Sequence, residues 1–381
     1  LKILHVFSNW KWTGPAEPAL DLACRQLKEG LDVTFACAVP PDPQGYGLAD
    51  KVRERSVPAY FDLRLNKHFN VIDNSHDIKK LTAHLKEQKF DILHAHTAND
   101  HFVGGAAAKL RSRGPHVVRT SYEGSGLPNT FRNRFLLHRL TDAYIASSLA
   151  VYDADQASFE LGEVLTRKIA PAVDCDVFTP ALRSQSLRPE FGVRDEEICI
   201  GIVARIQRHR RFDVLLRAWS RLAHEIQNLR FVIIGRGTHA REVVIRPAAA
   251  LGLADRLVMT GYRYEDFPRA LGMLDIKVFL VPGSDGSCRA VRQAQACGIP
   301  VVAADRGMLA EIVEHEGSGF VVEDSEQNLY ESLRALAVDE DLRHRLGGRA
   351  RERAESHFSL SGQERQVRQV YTELLKPHDG S

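Results

Sequence analysis

The sequence predicts an α/β protein made of two doubly wound halves, each a parallel sheet with helices on both faces. Short apolar runs alternate with helix-length amphipathic segments along nearly the whole chain, the pattern of buried parallel strands joined by crossover helices. The alternation breaks once, at 177–193 (VFTPALRSQSLRPEFGV), where two prolines stand in a stretch of little periodicity. Length agrees, since 381 residues exceed what one hydrophobic core usually serves. The expected division is a Rossmann-like domain over 1–176, a linker over 177–196 and a second Rossmann-like domain over 197–358. A last helix at 360–376 is expected to return to the first domain, and the two sheets to face each other across a cleft.

In chain order, KILHVF (2–7) reads as the first strand, and a loop containing Gly14-Pro15 leads to a helix over 17–29. Leu20, Ala23, Cys24 and Leu27 give that helix its apolar face, and Gly30 ends it. Trp10 and Trp12, in the loop, suit either stacking on a sugar or ordinary packing. Strands follow at 32–39, 58–63, 91–96, 116–122, 143–147 and 168–173, with helices at 73–88, 99–111, 129–140 and 151–161. The second half opens with a strand ending at Ala204-Arg205 and a helix from Phe212. Further strands are expected at 230–237, 258–262, 276–281, 301–304 and 320–323, and helices at 325–337, 340–356 and 363–375.

Hydrophobic residues at 44% and charged residues at 26% are those of a soluble globular protein, and a net charge of +2 gives no reason to expect nucleic acid. No apolar run approaches 18 residues and no signal-peptide pattern opens the chain, so a cytoplasmic protein is expected. The six cysteines are scattered without metal-ligand spacing and read as small core residues.

Chemistry concentrates in 279–302, FLVPGSDGSCRAVRQAQACGIPVV: a buried strand, a turn of small residues, a helix and a second buried strand. Bare amides at Gly286, Ser287 and Cys288 before a helix form an anion-friendly junction, and Arg289 adds a cation. Asp285 and Gln293, eight apart, fall on the same side of that helix. A second junction, ICIGIVARIQRHRRFDVLL, puts Arg205 and four further cations between a strand end and a helix start.

The first stretch resembles the signature of retaining GT-B glycosyltransferases of family 4, in which an acid, a Gly and a second acid eight residues on precede A-x-A-x-G-x-P-V-V. Gly286, Ala294, Ala296, Gly298, Pro300, Val301 and Val302 match; Asp285 stands for a Glu, and Gln293 has lost the charge. The second is similar to G-R-x-x-x-x-K-G-x-D-x-L-L, with Arg205 as the Arg, Arg210 for the Lys and Arg211 for the Gly. RFVIIGRG (230–237), VMTGY (258–262) and 304–322 resemble further family segments. The resemblance implies a GT-B fold and metal-independent, retaining transfer of a sugar from a nucleotide sugar to a glycan or lipid-linked hydroxyl, as in building cell-envelope glycans. It implies that Arg205, Arg210 and the amides at 286–288 meet the departing diphosphate, with Asp285 on the sugar and Gln293 on the ribose. Gly14, Gly261, Tyr262 and Gly307 would line the donor site, with backbone at Gly261 meeting the base. No cofactor or metal is implied.

In the first half, His94 and His96 share a strand face, but no third ligand is evident, which argues against a metal. His96 and Glu123 are candidates for the acceptor side. Tyr122 takes the position where many relatives carry a His beside the donor sugar, and a phenol can donate there. Arg132, Arg134, His138 and Arg139 interleave with apolar residues in NTFRNRFLLHRL, which suits either an ordinary covering helix or peripheral contact with the inner face of a membrane. The departures at Asp285, Gln293 and Tyr122 leave a second reading, a GT-B-shaped nucleotide-sugar-binding or scaffold protein with weak or no transfer.

Overall fold

A computed structural model describes residues 1–42, 45–281 and 288–376, which form two compact units. The first contains β1 (Lys2–Phe7), β2 (Asp32–Cys37), β3 (Ala59–Tyr60), β4 (Ile92–Ala95), β5 (His116–Ser121), β6 (Ala143–Ala146) and β7 (Leu165–Lys168). They pair in parallel in the order β3-β2-β1-β4-β5-β6-β7. Its helices are α1 (Ala16–Lys28), α2 (Leu48–Glu54), α3 (Val71–Gln88), α4 (Ala98–Lys109), α5 (Phe131–Leu140) and α6 (Leu149–Phe159). Alternate residues of β1 serve two cores: Ile3 and Phe7 pack with Leu20 of α1, while Leu4 and Val6 pack with Leu81 of α3 and Val103 of α4. Strand order reverses between β1 and β4, which opens a crevice at their carboxyl ends.

The second unit repeats the plan with β8 (Ile198–Val203), β9 (Leu229–Ile234), β10 (Leu257–Gly261), β11 (Ile276–Phe279), β12 (Val301–Ala304) and β13 (Gly319–Val322), ordered β10-β9-β8-β11-β12-β13. Its helices are α7 (Phe212–Glu225), α8 (Arg246–Ala250), α9 (Phe267–Leu271), α10 (Arg289–Ala296), α11 (Leu309–Ile312), α12 (Glu326–Val338) and α13 (Glu340–His357). Trp219 of α7, fully buried, stacks on Phe231 of β9 at 4.8 Å between centroids. The switch point lies between β8 and β11. The final helix, α14 (Leu360–Leu375), belongs to the first unit, where Val367, Val370 and Tyr371 join the core beside α1.

Some boundaries differ from the sequence reading. The strand expected at 168–173 lies earlier, as β7, because Pro171 has no N–H to give a ladder. The strand at 58–63 contracts to two residues, and α2 was not foreseen behind a Pro- and Gly-rich approach. The stretch 177–196, expected to be a linker, falls within the second unit. Arg188, 1% exposed, donates to the carbonyls of Met273, Arg194 and Glu197 and pairs with Asp275 at 2.5 Å.

Candidate active site

The loop after β8 carries the cations. Arg208 pairs with Glu242 at 2.9 Å and Arg211 with Asp324 at 3.5 Å, whereas Arg205 and Arg210 form no ion pair among the described residues. Arg210 is half-buried and donates to the carbonyl of Val281, just past β11, at 2.6 Å. Burial, and then the neighbouring Arg205, push its pKa down. Two like charges lie together here with no carboxylate paired to either among the described residues. The loop can lie against β9 because Gly235 and Gly237 carry no side chain: a Cβ at either would strike the carbonyl oxygens of Ala204 or Ile206. Arg211, at the family's Gly position, adopts φ 59°, a left-handed conformation that explains why glycine is favoured there.

Asp285, Gly286 and Ser287 lie outside the described residues. The chain resumes at Cys288, which is buried, has φ 48° and precedes α10. Two glutamines on α10 have different fates. Gln295 is fully buried and donates to the carbonyl of Ile312 and to Ser318 Oγ, both at 3.1 Å. Gln293, 5% exposed, makes no side-chain hydrogen bond among the described residues. Gly261 ends β10 at φ 75° with open space on its Cβ side, and Gly307 follows β12 at φ 54°. Tyr262 is 59% exposed, with the Arg236 guanidinium 5.0 Å over its ring. Arg236 was missed in the sequence, although its place between the two glycines of RFVIIGRG marked it. These groups all follow the carboxyl ends of the parallel strands of the second sheet.

In the first unit Gly14 sits half-buried in the turn before α1. Trp10 and Trp12 pack against the two cores on either side of the sheet. A third histidine, His5 of β1, joins His94 and His96, with ligand nitrogens within 4.8 Å of one another, so the trio the sequence did not reveal exists in space. All six ring nitrogens are already hydrogen-bonded. His5 meets Gln26 Oε1 at 2.7 Å and His96 Nε2 at 2.9 Å, and His96 Nδ1 meets the Tyr122 hydroxyl at 3.0 Å. His94 bonds Tyr371 of α14 at 2.5 Å and Thr120 at 2.7 Å.

Burial holds these imidazoles neutral: His5 is pushed down to about 4, and His94 and His96 well below the usual range. Neutrality fixes direction along the chain, because each ring then has one donor and one acceptor. Gln26 Oε1 only accepts, so His5 donates to it from Nε2 and accepts at Nδ1 from His96. His96 must then accept at Nδ1, from the Tyr122 hydroxyl. The phenolic proton is committed inward, which leaves the Tyr122 oxygen as an acceptor, where the sequence reading expected a donor. His96, 1% exposed, reaches a ligand only through Tyr122, while Glu123 is exposed.

Two family models match the chain: Glycosyltransferase Family 4 over residues 14–176 and Glycosyl transferases group 1 over residues 184–353. The chain is 22% identical to the Escherichia coli UDP-Gal:alpha-D-GlcNAc-diphosphoundecaprenol alpha-1,3-galactosyltransferase over 98% of its own length and 97% of that protein. It is 27% identical to D-inositol 3-phosphate glycosyltransferase 1 of Catenulispora acidiphila, over 81% and 78% of the two chains. The crystal structure of Anabaena HepE in complex with UDP and glucose superposes with a TM-score of 0.75 at 20% identity, covering 98% of this chain and 99% of that one.

Proposed function

Because the chain belongs to the group 1, family 4 glycosyltransferases of GT-B fold, we propose that it transfers a sugar from a nucleotide sugar to an acceptor hydroxyl, with retention and without a metal. The Arg205–Arg210 couple, without an ion pair among the described residues, carries this reading. As the glycosidic bond breaks, negative charge grows on the leaving diphosphate, and two guanidinium groups, Arg210 anchored on the Val281 carbonyl and Arg205 exposed beside it, stabilise it. They supply the charge a divalent ion would otherwise bring. Asp285 holds sugar hydroxyls, Gln293 the ribose diol, and the amides at 286–288 the phosphates. Tyr122 accepts from a sugar hydroxyl at the first unit. A UDP-sugar donor is supported by HepE, solved with UDP and glucose, and by the UDP-Gal in the name of the E. coli relative.

That relative's diphosphoundecaprenol substrate supports a lipid-linked acceptor in cell-envelope glycan assembly. Contact with an inner membrane face is supported by exposed apolar residues beside cations. Phe131 (87%) and Phe135 (45%) on α5 lie near Phe69 (48%) and Ile72 (76%), and the Arg132 guanidinium sits 5.1 Å over the Phe69 ring. The test is a thermal-shift screen of UDP-, GDP- and ADP-sugars, followed by turnover assays with EDTA present. Arg205→Ala should lower kcat by about 100- to 1,000-fold, the usual loss for one preorganised donor, while leaving the fold intact. Wild-type turnover in that variant, or activity restored only by Mg²⁺ or Mn²⁺, would sink the mechanism. The neutral Gln293 favours one competing outcome: donor binding without turnover on any acceptor would make the protein a binding scaffold.

A further inference from the structure

We propose that Arg119 is an anion-binding residue of the first unit, taking a phosphate group carried by the acceptor. Arg119 lies near the carboxyl end of β5, in register with Ala95 of β4 and Tyr144 of β6, so it stands inside the sheet and not at its margin. It is 4% exposed, and among the described residues it forms no hydrogen bond and no ion pair. Its Nη1 is wholly enclosed without a partner among the described residues. A guanidinium carries five donors and cannot shed its charge, so enclosing one unpaired is strongly unfavourable unless a ligand completes it.

The surroundings are set for an anion to do so. Two carboxylates, Asp100 and Asp155, feel the field of Arg119, but both are turned to other partners. Asp100 accepts from the backbone N–H groups of Ser8, His96 and Thr97 and from the Thr97 hydroxyl. Asp155 accepts from the Leu127 N–H and the Tyr144 hydroxyl. The other titratable groups within its field include His96, His101 and Tyr122, whose burial keeps them uncharged. What remains is one buried cation whose two neighbouring carboxylates are held by other donors, and its planar fork matches a phosphate. The proposal rests on the glycosyltransferase reading for the ligand's being an acceptor; the anion site itself does not.

The experiment titrates the full chain calorimetrically with glycerol phosphate, farnesyl diphosphate and glucuronate at constant ionic strength. It compares wild type, Arg119→Gln, Arg119→Lys and Arg205→Ala, each checked for folding by circular dichroism. Binding of one or both phosphate probes should persist in Arg205→Ala, which excludes the donor cradle, and weaken at least about tenfold in Arg119→Gln, since charge-assisted bonds are lost. Arg119→Lys, which keeps the charge, should bind more tightly than the Gln variant. If Arg119→Gln fails to fold, weaker binding by Arg119→Lys than by wild type carries the same decision, because Lys lacks the planar fork. Stronger response to glycerol phosphate identifies a soluble phosphomonoester as the source, and stronger response to farnesyl diphosphate a lipid diphosphate. Equal phosphate binding by wild type and the Arg119 variants would overturn the proposal, as would an Arg119-dependent preference for glucuronate. Failure of sugar transfer with Arg119-dependent phosphate binding intact would instead remove the glycosyltransferase reading and leave the anion site standing.

Discussion

At the scale of single residues, burial makes the histidines of the first unit a pH-sensitive element. His5, His94, His96 and His101 all have pKa values pushed below the ordinary 6.5 by burial, His5 to about 4. As pH falls through 6.5 the unfolded chain binds protons at these rings and the folded chain does not, so stability falls with acidification. Asp100 opposes this with the reverse sign: burial raises its carboxyl from 3.8 to about 6, so between those values the folded chain holds the extra proton. Each uncompensated histidine contributes up to about 1.4 kcal/mol per pH unit. Urea unfolding at pH 7.5 and 5.5 should show a loss of several kcal/mol at the lower pH, less in His94→Gln. A flat profile would mean that these rings are charged in the folded state and that the direction assigned to the Tyr122 hydrogen bond is wrong.

At the scale of elements, β11 shows how an apolar strand can contain a lysine. Ile276 and Val278 join the core with α7, while Lys277 and Phe279 point to the opposite face. Lys277 is fully buried, its Nζ has no hydrogen-bond partner among the described residues, and burial lowers its pKa from 10.5 to about 7. An unsatisfied buried amine costs about 1–3 kcal/mol. Lys277→Met, close in length, should therefore raise unfolding stability by about that amount at pH 7, and the gain should shrink toward pH 10 as the unfolded amine loses its proton. Equal or lower stability of the Met variant in denaturant titrations would show that Lys277 has a partner in solution.

At the scale of the whole molecule, the chain leaves the first unit at Ala172 and returns at Leu360. That return is structural: Tyr371 of α14 is fully buried, accepts from Gln26 Nε2 at 3.5 Å and shares a hydrogen bond with His94 Nδ1. One Gln26 amide thus joins two chains, orienting through Oε1 the one that ends at Tyr122 and meeting through Nε2 the one that runs by Tyr371 and His94 to Thr120. Ending the chain after Ser359 would uncover the apolar face of α1 and leave His94 unsatisfied. Such a truncation should cost several kcal/mol and bind hydrophobic dyes, while Tyr371→Phe should cost only about 1–3 kcal/mol, the penalty of one buried unsatisfied group. A truncated protein as stable as wild type would mean that α14 adds nothing to the first core.

What the sequence determined by itself was local and periodic. Alternating hydrophobicity located most strands and helices to within a few residues, and Arg205 with the spacing of Gly286, Ala294, Ala296, Gly298 and Pro300 carried the family, because those residues lie in contiguous stretches of the chain. Tertiary structure decided what depends on residues far apart in the chain. His5 and His96 are 91 positions apart, and His94 and Tyr371 are 277 apart, so no local pattern announces their network or the direction of its protons. Arg119 reads in sequence as one more basic residue; only the closing of β4, β5 and β6 around it withdraws it from water. Lys277 lies inside an apolar strand in the sequence, but only the packed sheet shows that its amine is left without a partner. Burial sets the pKa values of these groups, and burial is a property of the assembled sheet rather than of any segment within it.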